Sequence, residues 1–368
     1  MGALTFKLKT SQVDGVHPRH FAKLSDDALA VLGRLLVIVE LLGHFPHALC
    51  DILVALLPKP EGGKRPIGLY RGLYRLWSRL RHPHVKEWEA GRAVSGIFGV
   101  GPRRRVTDSV WRTAVRNFSD IEMDKVVIES LWDLRKCYEF VNHFKLKGFA
   151  RELGFPLAIL RVSLRSYRWG RRLRLDGMVG RAWFPGRGII AGSVFAVHEL
   201  RAFMFEAVTR HAVGHPGVGI SVHIDDVNQR VAEDTRDEAT KVFQDGAAEL
   251  QRVFEVDLEL PLAMSKGLLL SNDQGAATEV ATKLGWSRGK SARGAGSWGS
   301  TTKWAKSCCA AGGLSGRRAG VATSCGPKGP EHSGSNQGTP RRSSTQDSFL
   351  GSPSERLSSP WLQARSSG

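Results

Sequence analysis

Two strand-like runs that each end in aspartate constrain this chain more than any other feature. In "GISVHIDDVNQ", Gly219 to Gln229, the residues Ile220, Val222 and Ile224 alternate with Ser221 and His223, and Asp225 and Asp226 follow at the tip. In "VVIESLWD" an apolar run closes on Asp133. Alone, an Asp-Asp pair is an ordinary polar turn, because Asp bonds its own backbone two residues on. Laid side by side in one sheet, however, the two runs would bring three carboxylates together. Such acids repel unless a divalent cation lies between them. Two hard cations about 4 Å apart, held by acids of this kind, activate a hydroxyl oxygen and stabilise a leaving phosphate.

Charge points the same way. The 368 residues carry 53 Lys and Arg against 35 Asp and Glu, a formal net charge of +18. An excess of that size favours a polyanionic partner, nucleic acid before an anionic membrane. The five cysteines (Cys50, Cys137, Cys308, Cys309 and Cys325) are too few and too irregularly spaced for a disulfide framework, and the lack of a CxxC pair argues against a structural zinc site. Free thiols in a reducing compartment fit best. The most apolar run, "ALAVLGRLLVIVELLGHF", contains Arg34 and Glu40 and reads as a buried helix, not a membrane span. No signal peptide is evident at the N-terminus.

The order of elements follows from capping and periodicity. Ser25 caps a helix with Asp26 and Asp27 in its first turn, ended by Gly43 and Pro46. "DILVALLPKPEGGKRPIGL" is a hairpin with Lys59, Lys64 and Arg65 around its tip. "YRGLYRLWSRLR" is a basic helix with Leu73, Leu76 and Leu80 on one face. After the strand ending at Asp133 come the helices "HFKLKGFARELGFP" and "LAILRVSLRSY", then strand-like "RRLRLDGMVG" turning at Asp176-Gly177. "DEATKVFQDGAAELQRVFE" is a helix, "VDLEL" alternates as a strand, and "MSKGLLLSN" follows. This is an α+β layer, an antiparallel sheet covered on one side by helices. From residue 287 Ser, Gly, Arg and Pro dominate and no apolar period persists, the composition of a disordered basic tail. Arginines cluster at Pro102 to Arg105 and at Arg165 to Arg174. The second cluster interleaves Tyr167 and Trp169, a pattern suited to phosphate tracking and base stacking.

"LLPKPEGGKRPIGL", "WDLRKCYEFVNHFKL", "GRGIIAGSVFAV", "VHIDDV" and "LPLAMSKGLLLSN" resemble, in order, the blocks of a reverse transcriptase domain of the non-long-terminal-repeat retroelement and group II intron type. "VDGVHPRHF" is similar to the entry of that domain, and the resemblance covers roughly residues 10 to 285. It implies a right-hand, polymerase-like fold: an N-terminal and fingers region over residues 1–115, a palm over 116–286 and the tail over 287–368. It also implies an RNA-directed DNA polymerase, a nucleotidyltransferase using Mg2+ or Mn2+ on an RNA template, a DNA primer and deoxynucleotide triphosphates. By resemblance Asp133 and Asp225 hold the metals with Asp226 beside them. Tyr138, five residues after Asp133, is the gate that excludes a 2′-hydroxyl. Lys59 and Arg65 grip the triphosphate, Gly192 and Ser193 form a small-residue turn against nucleotide and template, and Lys266 protonates the leaving pyrophosphate.

Three departures stand out. Ala191 replaces the usual Gln before Gly192, and His223 replaces an aromatic, often Tyr, ahead of the acids. No basic helical thumb follows the palm, so duplex should be held weakly. The loss of pattern near Ser287 fits a truncated copy of a mobile element or a reading frame that leaves the ancestral one. The alternative within the resemblance is a catalytically idle remnant that binds nucleic acid. A nuclear site of action is favoured over a cytoplasmic one, with neither secretion nor membrane insertion expected and no protein partner identifiable.

Overall fold

Helix α1 (Asp26–Leu42) begins as its sequence dictates. The Ser25 hydroxyl accepts a hydrogen bond from the Ala28 amide at 3.3 Å, and Gly43, at φ 76°, closes the helix by donating to the Val39 carbonyl. The computed structural model describes residues 2–286 apart from 11, 12, 61, 93–95, 100–105 and 176. The arginine cluster at 102–105, Asp176 and the tail from 287 lie outside the described residues. All those described belong to one unit, Met1–Leu314.

The hairpin β1 (Asp51–Pro58) and β2 (Lys64–Leu69) pairs antiparallel from Leu53–Leu69 to Pro58–Lys64. Helices α2 (Gly72–Gly91) and α3 (Val106–Glu122) follow, then β3 (Val126–Asp133) and the single turn α4 (Cys137–Phe140). Helices α5 (His143–Glu152) and α6 (Leu157–Tyr167) lead to β4 (Gly170–Leu175) and β5 (Met178–Val179). Then come α7 (Ala196–Gly214), β6 (Gly219–His223), β7 (Asp226–Glu233), α8 (Arg236–Arg252), β8 (Leu268–Ser271) and α9 (Gln274–Lys283). The first sheet runs β2-β1-β4-β5, with β1 and β4 parallel. The second runs β6-β7-β3-β8 and is antiparallel throughout.

The expected α+β arrangement with an antiparallel, helix-covered sheet is therefore present. Helix α8 packs on β7 and β3, fastened where the buried Gln229 amide donates to the Phe243 carbonyl at 3.1 Å. Cover is not confined to that face. Glu129 shares a face with Asp133 by strand alternation and accepts from Asn117 of α3 at 2.6 Å and from Asn228. Burial raises the Glu129 pKa against those donated bonds. Arg230, on the same face, donates to Asn117 and Asp120, so a buried polar cluster holds α3 against the second sheet.

One hydrophobic cluster runs through both sheets. At its centre Phe45, Tyr70, Tyr74, Trp77, Trp169 and Phe195 pack in edge-on and stacked pairs. Full burial of a ring as large as that of Trp77 is worth about 4–6 kcal/mol before entropy.

Four sequence expectations are corrected here. "VDLEL" is not a strand: Val253–Asp257 form a wide π turn at the end of α8, and Glu259 takes φ 57°, incompatible with a strand. The buried face of α2 is led by Tyr74, Trp77, Val85 and Trp88, whereas Leu80 is exposed, because the larger rings claim the core. Helix α1 is not buried: it sinks Leu36 and Val39 but exposes Val31, Val37, Ile38, Leu41 and Leu42. Lastly, Tyr167 and Trp169 are core residues at 0% and 6% exposure, so neither ring stacks on a base. Among the described residues no helix is long and apolar enough to cross a membrane.

Candidate active site

The two aspartate-ended strands do meet. Asp133, last in β3, pairs across the sheet with Asp226, first in β7, and directly opposed residues project to the same face. Strand β6 is paired to β7 by a two-residue loop, Ile224-Asp225, between His223 and Asp226. Ile224 takes φ 62°, a left-handed conformation that a β-branched residue adopts only under strain of order 1–3 kcal/mol. That strained turn carries Asp225 beside the Asp133–Asp226 pair. The outer edge of β6 is covered by residues 97–99: Val222 donates to Ile97 at 2.6 Å and accepts from Gly99 at 2.7 Å.

Burial and neighbouring charge mark Asp225 and Asp226. Burial first, then the charges of Asp225 and Asp133, push Asp226 up to about 7. Burial also raises Asp225, with Asp133 adding to the rise and Arg65 opposing it. Arg65 belongs to β2, so the basic hairpin of the first sheet faces the acids of the second. Cys137 is buried next to them, its thiol pushed well up by burial and by Asp225 and Asp133. Tyr138 is raised too, by burial and then by the charge of Asp225.

Lys266 reaches the site along the chain that borders β3. The Asp133 carbonyl accepts from Ala263 at 2.7 Å, and Arg135 donates to the Pro261 carbonyl at 2.8 Å. The short 3-10 turn Met264–Lys266 then brings Nζ of Lys266 to 3.1 Å from Oδ2 of Asp133.

Residues 188–193 bridge the two sheets. The Ile189 amide donates to the Tyr138 carbonyl at 2.8 Å, and Gly68 in β2 donates to the Ala191 carbonyl at 2.7 Å. Gly192 has φ 114°, and a Cβ there would lie 2.3 Å from the Gly68 carbonyl oxygen. The glycine is thus required by the approach of two protein backbones. Ser193 faces inward, its hydroxyl hydrogen-bonded to that of Tyr167 at 2.9 Å. Ala191 contributes through its backbone, which no glutamine side chain is needed to supply.

Of the residues singled out by sequence, Asp133, Asp225, Asp226, Tyr138, Arg65 and Lys266 converge, and Gly192 and Ser193 are tied in through Ile189. Lys59 stays at the hairpin tip, where its amide donates to Gly63. Sequence reasoning passed over Cys137 as a site neighbour, and it missed Glu129, Asn117 and Arg230. Polar residues at alternate positions of a strand buried on both faces were the available signal for that last cluster. His223 is half-buried, its pKa lowered by burial, and its Nδ1 has no hydrogen-bond partner.

Among the described residues no three His, Cys, Asp or Glu side chains form a metal-holding group. The charge of the acids is partly offset within the protein, by Lys266 on Asp133 and by Arg65 near Asp225.

No known family model and no curated protein matches the chain. Among solved structures it is similar to the apo telomerase of Candida tropicalis truncated from its C-terminal domain, with 13% identity and a TM-score of 0.46 over 61% of this chain and 50% of that one. It is similar also to the telomerase of Candida albicans in complex with a TWJ fragment of telomeric RNA, with 10% identity and a TM-score of 0.46 over 61% and 43%. The chain spans half the length of these structures or less.

Proposed function

We propose that the chain is the fingers-and-palm core of an RNA-directed DNA polymerase of reverse transcriptase type. The second sheet is the palm and the β1–β2 hairpin belongs to the fingers. The observation that carries this reading is the cross-strand pairing of Asp133 with Asp226, with Asp225 in the adjoining turn under the charge of Arg65.

In this reading Asp133 and Asp225 hold magnesium or manganese, which when bound supplies Lewis-acid activation of the primer 3′-hydroxyl and neutralises charge on the leaving group. The primer 3′-oxygen attacks the α-phosphorus of a deoxynucleotide, the bond to the bridging oxygen breaks, and pyrophosphate leaves. Arg65 and Lys59 grip the triphosphate, Arg65 through a planar fork that matches phosphate oxygens. Tyr138, beside Asp225, closes the space that a 2′-hydroxyl needs. Lys266, freed from Asp133, delivers a proton to pyrophosphate. The template is RNA, the primer DNA, and the favoured place of work the nucleus.

The rival is an idle remnant that binds nucleic acid without chemistry. It is favoured by one contact, the Lys266–Asp133 ion pair, which sets a protein cation on a carboxylate the reaction needs. Primer extension on poly(rA)/oligo(dT), in magnesium and then manganese, separates the two. The parent extends, and Asp225→Asn loses more than the roughly 10- to 100-fold that even an indirect change around a metal costs. Salt-dependent binding with no extension by either protein establishes the remnant instead.

A further inference from the structure

The proposed polymerase site uses one end of the first sheet; the other end carries a second basic feature. Strand β1 runs eight residues from Asp51 to Pro58, so its start lies roughly 23 Å from the hairpin tip. There a cavity of about 630 Å3 opens, walled by His44 and His47 from the turn after α1, Arg165 and Arg168 from the end of α6, Arg172 from β4, and Phe184. Asp51 is the one carboxylate on this wall, and Arg71 already pairs with it. Among the described residues no carboxylate ion-pairs with Arg165, Arg168 or Arg172, and all three are exposed.

The ring of Phe184 is 74% exposed, yet its position is set from below. Its Cε1 lies 3.2 Å from where a Cβ would stand on Gly170, so the glycine makes room for the ring against the strand. Three unpaired guanidinium groups beside a seated, open aromatic face are the elements of single-strand binding: arginines for phosphates and a ring for a base.

We infer that this cavity is a second nucleic-acid site, which holds a single strand outside the acid cleft with phosphates on Arg165, Arg168 and Arg172 and a base on Phe184. The inference rests on the reading that nucleic acid is the substrate, and it specifies where the strand is held away from the chemistry.

The test is fluorescence anisotropy with fluorescein-labelled oligo(U) and oligo(dT) 12-mers, full chain, EDTA present, from 50 to 200 mM KCl. The combined Arg165→Gln, Arg168→Gln and Arg172→Gln variant flattens the plot of log K against log salt by roughly 2, three single-strand phosphates at about 0.7 each. Phe184→Ala weakens binding roughly 5- to 150-fold with the slope unchanged. Equal losses on both oligomers assign the cavity to either strand, and losses on oligo(U) alone assign it to RNA. A slope equal to the parent's overturns the inference. So does an equal flattening by a control that neutralises the exposed Lys147, Arg151 and Lys241, or failure of the parent to bind. With EDTA present and no nucleotide, the titration judges the cavity even where extension fails, and extension judges the acids even where the cavity is idle.

Discussion

Glu199 offers a quantitative check on the interior behind the site. It is fully buried in α7 and takes a hydrogen bond from the Tyr167 hydroxyl, which also reaches Ser193 in the bridging turn. Burial pushes its pKa up to about 7 from the ordinary 4.5. Below pH 4.5 the carboxyl is protonated in both folded and unfolded chains, and its contribution to stability is complete. Above 4.5 the unfolded chain ionises into water while the folded one keeps its proton, so stability falls with rising pH until the folded group also ionises near 7. At 1.36 kcal/mol per unit over about 2.5 units, the loss is about 3 kcal/mol, complete by pH 8. Glu199→Gln keeps the shape and cannot ionise. Urea unfolding of parent and variant, followed by tryptophan fluorescence between pH 4.5 and 8, should show the difference in stability moving by about 3 kcal/mol in favour of Gln. His82, lowered to about 4, titrates in both proteins and cancels in that difference. A difference that stays flat across this window refutes the buried, neutral carboxyl.

Two further outcomes are expected. Gly192→Ala sets a Cβ 2.3 Å from the Gly68 carbonyl at φ 114° and should cost about 3 kcal/mol in the same unfolding assay; unchanged stability would show that the β2 contact is not made. Tyr138→Ala should admit ribonucleotides roughly tenfold better in primer extension, the scale of a lost steric contact, and unaltered sugar selectivity removes the gate.

Much of this was legible where a local signal fixed a local outcome. The Ser25 cap, the Gly43 stop, the turn between Pro58 and Lys64 and the end of β3 at Asp133 all lie where composition puts them. The acids were legible as a set but not in register: which of Asp225 and Asp226 faces Asp133 depends on the two-residue turn at Ile224. Tyr167 misled because its neighbours are arginines. The helical period in fact separates Leu160, Ser163 and Tyr167, which point inward, from Arg161, Arg165 and Arg168, which point out. "VDLEL" misled differently, since its alternation is genuine. Leu258 and Leu260 are buried, but Lys145 holds the backbone of Asp257 and the side chain of Glu259 in a turn that no local pattern announces.

The open apolar face of α1 has a practical side. Val31, Val37, Ile38, Leu41 and Leu42 form one stripe of a chain whose formal net charge is +18. In dilute buffer like-charge repulsion keeps such stripes apart. At 1 M salt the screening length shrinks to about 3 Å, and the repulsion no longer reaches from one molecule to the next. If the arginines hold nucleic acid as proposed, the salt that strips it off is the same salt that lets α1 stripes meet. After any step at high salt, the protein should keep in solution best when the ionic strength is lowered again before it is concentrated.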